Sequence, residues 1–276
     1  MRIDSHLHLW PSTEGYRWLT DDLAPINRGF APAEAHEALI EARFDSAVLV
    51  QAADTDADTD WLLTMAQTHE WVAGVVGWVP LSDASQAERR LEELSGRPLV
   101  GIRGLINDQP DHALLDRPEV RQTLTVLADR NLPFDIHDAW PWHLDAATRA
   151  ASEIDGLTMV LDHLGKIPGD DADELRLWRA AVERFAAVPH TIAKLSGLHQ
   201  RGVRLSRATF EFVWDTALTA FGPQRLMLGS DWPMPLLADG PDATSTQLDN
   251  ALHTLSGAER AHLEAGTARR IYRLDT

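Results

Sequence analysis

A chain of 276 residues, 44% hydrophobic and 24% charged, suits one (β/α)8 barrel of about 250 residues and contains no low-complexity segment. Its 42 acidic against 25 basic residues give a formal charge of −17, a field that repels phosphate backbones and anionic bilayers, so nucleic acid and membrane are excluded as partners. The absence of cysteine removes disulfides, thiolate ligands and a Cys nucleophile, which leaves histidine and carboxylate to hold any metal.

In chain order, the first predicted strand is RIDSHL at 2–7. No secretory signal precedes it, and the longest apolar run, WVAGVVGWVPL at 71–81, is too short for a bilayer span of about 20 residues, so a cytoplasmic protein is expected. Further strands follow at SAVLVQ (46–51), VAGVVGW (72–78), LVGIR (99–103), LPFDIH (132–137), TMVLDH (158–163), TIAKLS (191–196) and RLMLGSD (225–231). Between them APAEAHEALIEARF, SQAERRLEELSG, PEVRQTLTVLADRN and DELRLWRAAVERFAA carry apolar residues at i, i+3, i+4 with charges opposite. The tail from 243 to 272 reads as two more helices. Strand–helix alternation predicts a parallel α/β sheet, and no linker divides the chain, so one domain over 1–276 is expected. A doubly wound sheet is the rival, but HLHLWP stands where its G-x-G-x-x-G fingerprint belongs; no P-loop and no G-x-S-x-G elbow occurs either.

In a (β/α)8 barrel the loops after the strands build the site, so polar residues at strand C-termini are the candidates. His6 and His8 close strand 1, two residues apart and therefore on one face; His137 closes strand 5, His163 strand 6 and Asp231 strand 8. His36, His69, His253 and His262 lie on helical segments, where solvated surface histidines are ordinary. A single strand-end histidine is as often a hydrogen-bonded rim residue as a ligand. Four with an aspartate supply what a divalent ion needs, neutral imidazoles and a carboxylate.

The segments IDSHLHLW, VLVQAADT, LVGIRG, VLDHLGK, KLSGL and LGSDWP, in this order, resemble the amidohydrolase-2 branch of the amidohydrolase superfamily, and within it the sugar-lactonase-like barrels. The resemblance runs from residue 2 to the ARRIYRL near the C-terminus; the HxH and the DHLGK/GSDWP pair are its most specific parts. It implies a distorted (β/α)8 TIM barrel that opens a lactone, the cyclic ester of a sugar acid or of a related carboxylated ring. His6, His8 and Asp231 match positions that bind metal or hold the attacking water, and His163 matches the strand-6 histidine that polarises the carbonyl or positions water. His137 departs from many lactonase-like members; metal-dependent amidohydrolases and aminocarboxymuconate-semialdehyde decarboxylase relatives carry a ligand there. Its presence favours a divalent metal, with zinc the expected ion and His6, His8, His137 and Asp231 its ligands, although some lactonases of this group work without one.

Ester hydrolysis needs a water, a base for its proton and positive charge at the developing oxyanion. Asp231 is the expected base, kept ionised by a neighbouring cation, with His163 as the second catalytic residue. Arg103, Lys166 and Lys194 are expected to bind the substrate, Arg103 in a bidentate grip on a carboxylate; the alternative for these cations is pairing with Asp162 or Asp138. Ten tryptophans are present; Trp10, Trp140, Trp142 and Trp232 follow strand ends, where ligand contact and plain packing are both open and Trp140 and Trp232 are taken as ligand contacts, whereas Trp61, Trp71, Trp178 and Trp214 belong to helix packing. The leading expectation is a metal-assisted lactonase with a small carboxylated or polyhydroxylated lactone as its partner, as a monomer or a homo-oligomer. A metal-dependent non-oxidative decarboxylase is the alternative among enzymes. A catalytically silent barrel binding a small acidic ligand is the alternative outside them.

Overall fold

The computed structural model describes residues 1–107, 109–200, 203–238 and 242–274. Eight parallel strands form one sheet in sequence order: β1 Ile3–Leu7, β2 Ser46–Val50, β3 Val72–Gly77, β4 Leu99–Gly104, β5 Phe134–Ile136, β6 Met159–Leu161, β7 Thr191–Leu195 and β8 Leu226–Leu228. All eight lie inside or within a residue of the predicted runs. Helices α1 Pro32–Glu41, α2 Asp56–Thr68, α3 Ala84–Glu93, α4 Pro118–Asp129, α5 Leu144–Glu153, α6 Ala172–Ala186 and α7 Arg207–Phe221 alternate with them as a (β/α)8 barrel requires. No described helix is long and apolar enough to cross a membrane.

The tail forms the expected two helices, the second interrupted by a π-helical turn. α8 Asp242–Leu252 is followed by α9 Gly257–Ala261, a π-helical turn His262–Gly266 and α10 Thr267–Tyr272. A capping box in which Ser256 and Glu259 satisfy each other's backbone N–H groups restarts the helix after α8. α10 then seats Tyr272 against the inner core of the barrel, which comprises Ile3, Val48, Val50, Val76, Val160, Ile192 and Met227. The alternate residues, such as Leu49, Phe134, Leu161 and Leu228, face the helices instead.

Two irregularities place the site. Along β1, Ile3 packs inside the barrel and Leu7 outside, although both are odd-numbered positions; the pairing with β2 shifts register between Asp4 and Leu7, which re-aims His6 and His8 inward. At the seam, β8 is only three residues long and meets β1 through one isolated bridge, Leu7 to Trp232. Side chains complete the closure: Asp4 Oδ1 accepts from the N–H groups of His6 (3.0 Å) and Ser230 (2.9 Å), and the Ser5 hydroxyl donates to the Leu228 carbonyl (2.6 Å). The Asp231 N–H donates to the His6 carbonyl at 2.8 Å, so the last strand's acid is held against the first strand's histidine.

Candidate active site

The predicted strand-end residues His6, His8, His137, His163 and Asp231 gather at the C-terminal mouth, two of them and the neighbouring Asp138 on left-handed backbone. Asp138, His163 and Asp231 have φ of 44°, 55° and 59°, in the left-handed region where a non-glycine residue costs on the order of 1–3 kcal/mol. Two motif glycines make room for them. A Cβ on Gly197 of KLSGL would stand 2.6 Å from His163 Nδ1, and one on Gly229 of LGSD would stand 2.8 Å from His6 Cβ. Both motifs are therefore conditions for packing imidazoles this closely.

Three imidazoles converge on one carboxylate oxygen. Nε2 of His6, His8 and His163 lie 3.8, 3.6 and 3.7 Å from Asp231 Oδ1, and the two Nε2 atoms of the HxH pair are 3.0 Å apart. His8 Nδ1 donates to the Val50 carbonyl (2.8 Å), which leaves its Nε2 as a lone pair aimed at the cluster. His163 Nδ1 is 2.9 Å from Ser196 Oγ, which anchors that ring. Burial drives His6 and His8 well below the usual imidazole range and His163 down to about 3, so the rings are neutral donors at physiological pH. Neutral imidazole nitrogens around a carboxylate oxygen, each with its other nitrogen anchored, fit a divalent ion. Among the described residues His6, His163 and Asp231 bring donor atoms within 4.8 Å of one another.

His137 stands beside this group. Its ring centre is 5.8 Å from that of His163, its Nδ1 is 3.0 Å from Asn107 Oδ1 and its Nε2 is 3.8 Å from Asp138 Oδ2. It lines the cavity above the cluster, while His163, expected only as a catalytic residue, sits among the ligand-type donors.

The expectation that Asp231 keeps a low pKa does not hold. Burial raises it well above the ordinary carboxylate value against the pull of Arg103, and the charges of Asp138, Asp162 and Asp4 add to the rise.

The cations separate by depth. Arg103, 2% exposed, donates to the Gln51 carbonyl, and its Nη1 lies 3.5 Å from His6 Nε2 and 3.6 Å from Asp162 Oδ2; one edge reaches the cavity. Lys194, expected to contact substrate, does not line the cavity. It is 0% exposed beneath the histidines, 2.6 Å from Asp135 Oδ2 and 3.0 Å from Asp162 Oδ1, because β7 turns it into the barrel with Ile192. Against burial, which favours its neutral form, Lys194 and His6 hold Asp162 well below the carboxylate range. Lys166 is half-exposed at the mouth, 3.8 Å from Asp138.

Trp232 is buried against Phe30, ring centres 4.9 Å apart, and neither it nor Trp140 lines the cavity; both serve packing rather than the expected ligand contact. The tryptophan that does line it is Trp18, in the loop between β1 and α1, with its indole N–H on the Ala52 carbonyl (2.8 Å). The cavity is about 710 Å³. Its floor is His8, Arg103, His137, His163 and Asp231, and its walls include Leu23, Leu105, Ile167, Leu205, Met234 and Leu237. Sequence reading missed Trp18, Asn107 and Ser196; only Ser196, inside KLSGL, had a motif to mark it.

The model of the family described as Amidohydrolase matches residues 3–274. The chain is an amidohydrolase-family member. It is 35% identical over 287 aligned positions to an L-fucono-1,5-lactonase of Burkholderia multivorans, covering 99% of this chain and 96% of that one. A crystal structure of an amidohydrolase from Burkholderia multivorans with bound zinc superposes with a TM-score of 0.91 at 34% identity, over 100% of both chains. A 5-carboxyvanillate decarboxylase from Sphingomonas paucimobilis shares the fold alone, with a TM-score of 0.65 and 16% identity over 99% of both chains.

Proposed function

We propose that this amidohydrolase opens a small lactone ring, that of a sugar acid or a related carboxylated cyclic ester, by attack of water at the barrel mouth. The observation that carries the reading is the convergence of three neutral imidazoles on Asp231 Oδ1 at the floor of a ligand-sized cavity, in a chain so similar over its length to a lactonase.

His6, His8, His163 and Asp231 would hold a divalent ion, zinc by analogy with the related crystal structure, with His137 close enough to assist from the wall. When bound, such an ion lowers the pKa of a water, polarises the lactone carbonyl and favours the ionised form of Asp231. Asp231 accepts the proton of the attacking water and returns it to the ring oxygen as the ester bond breaks. His163 is held by Ser196 so that its Nε2 faces the reacting centre. Arg103 brings positive charge to the side of the carbonyl, and Lys166, at the rim, meets a substrate carboxylate or hydroxyl. The apolar walls exclude water from the rest of the ring. The acidic surface and the enclosed site suit a soluble enzyme of carbohydrate breakdown in the cytoplasm.

A panel of aldonolactones and carboxylated pyrones, assayed with a pH indicator and in parallel for CO₂, tests the reading. Proton release with one of the lactones and no CO₂ is expected. CO₂ evolution from an aromatic or muconate-type carboxylic acid, with no lactone opened, would overturn it in favour of a decarboxylase.

A further inference from the structure

We propose that Trp18 is the plate on which the apolar face of the substrate ring lies, and that Tyr16 and Asp58, which do not line the cavity, are the positioning residues that fix it there. The inference deepens the lactonase reading and rests on it.

The chain between β1 and α1 runs from residue 8 to residue 31, far longer than the roughly two to six residues of an ordinary βα connection. It supplies Trp18, Thr20, Asp22 and Leu23 to the cavity. A loop of this length needs fastening, since it has no strand ladder to hold it. Its base is closed by Trp10, whose indole N–H donates to the Arg28 carbonyl at 2.6 Å and whose own carbonyl accepts from the Phe30 N–H at 2.9 Å. Further along, the loop is tied to the turn after β2. The Tyr16 hydroxyl donates to Asp58 Oδ1 (2.5 Å), and Asp58 Oδ2 accepts from the N–H groups of Ala52 (2.9 Å) and Ala53 (3.3 Å). The Ala52 carbonyl accepts from Trp18 Nε1 at 2.8 Å. Tyr16 and Trp18 sit in one turn, closed by the Leu19 N–H on the Tyr16 carbonyl at 3.0 Å. The contacts form a ring, from Tyr16 to Asp58 to Ala52 to Trp18 and back along the chain. The buried Trp10 packs against Trp18 in a T-shaped contact, ring centres 5.3 Å apart.

The indole N–H is the one polar group of a tryptophan side chain, and in Trp18 it is committed to Ala52, so what this residue offers the cavity is ring carbon. It recognises a C–H face or an alkyl substituent rather than a hydroxyl. In a closed eight-stranded barrel β5 stands across from β1, and the loops after β4, β5 and β6 bring Asn107, Asp138 and Lys166 to the cavity wall on that side. A lactone ring between the two walls meets polar groups on one side and Trp18 on the other. Contact with Trp18 is made alike before and during ring opening, so it governs binding rather than turnover.

Asp58 is a poor residue to change, because Gln51, next to Ala52 in the same turn, holds Arg103 through its carbonyl. Tyr16→Phe removes one hydroxyl and leaves the ring packed on Trp10. On the lactone that wild type opens fastest, Trp18→Ala should raise KM about tenfold with kcat within about twofold, the scale of one aromatic contact. Tyr16→Phe should raise KM about three- to fivefold, again at constant kcat. Combined with Trp18→Ala it should add less than about 1.5-fold, because a residue that acts through Trp18 then has nothing left to position. A merely structural tyrosine would not fall silent in that background. Unchanged KM in either single variant, a fall in kcat as large as the rise in KM, or full multiplication of the two effects in the double variant would overturn the inference while leaving the lactonase reading in place. Should Trp18→Ala not fold, Trp18→Leu takes its place in the cycle. A wild type that opens no lactone of the panel would instead overturn the lactonase reading and the inference with it.

Discussion

The barrel carries two lysine–aspartate pairs within reach of the same histidines, and they teach different lessons. Lys194 and Asp135, 2.6 Å apart with no exposure, lie below the cluster and are locked further by Asp162 and Tyr272. Lys166 and Asp138, 3.8 Å apart, stand at the mouth with side chains 48% and 21% exposed. Coulomb attraction is weakly screened in the first place and strongly in the second, so the buried pair is a fixed part of the scaffold while the rim pair can open for a ligand. The same two residue types thus become a positioning device at one depth and a binding device at another.

The sharpest way to break this contrast is Lys194→Met, which leaves Asp135 and Asp162 buried without their cation. Stability should fall by about 3 kcal/mol or more, read as a shifted urea midpoint, and a drop below about 1 kcal/mol would show that the pair is not locked. Next in size is Asp231→Asn, which keeps the shape and removes the basicity. A fall in kcat on the order of 10² or more is expected with circular dichroism unchanged; near-wild-type turnover at saturating lactone would transfer the base role to His163.

A smaller effect should appear in the pH dependence. Burial raises Asp135 to about 6 against the pull of Lys194, so the native state binds its proton more tightly than the unfolded chain does. The stability it contributes is whole below the ordinary value of 3.8 and is lost as pH rises toward about 6. Asp135→Asn should flatten the dependence of Tm on pH across that window, and an unaltered slope would remove Asp135 from the account. Smallest is Lys166→Ala, which should raise KM for a carboxylated lactone by about tenfold or less and change stability by no more than about 0.5 kcal/mol. A large stability loss there would make the two pairs alike.

Eight strands were legible in the sequence as β-rich runs between helical patterns, and the site's principal side chains because four strand ends carry chemistry that a barrel wall does not need: His6 and His8 in and after RIDS, His137 after FDI, His163 after MVLD, Asp231 after LMLGS. Strand-to-helix spacing and a fixed hydrophobic period carry that information locally. What residue order left open was set by contacts between distant segments. β1 follows its period until a register shift against β2 turns His6 and His8 inward. Lys194 occupies a strand-end position like Arg103, yet the chain direction at β7 and the arrival of Tyr272 from residue 272 put it beneath the ligands rather than beside the substrate. Trp18 reaches the cavity through a loop with no regular pattern, whereas Trp140 and Trp232, directly after strands, pack away from it. Residue type and spacing determine which groups can gather at the mouth; which of them meet, and whether a charge is held or offered, depends on burial and on partners far off in the chain, 188 residues between Lys194 and His6 and 226 between Asp4 and Ser230.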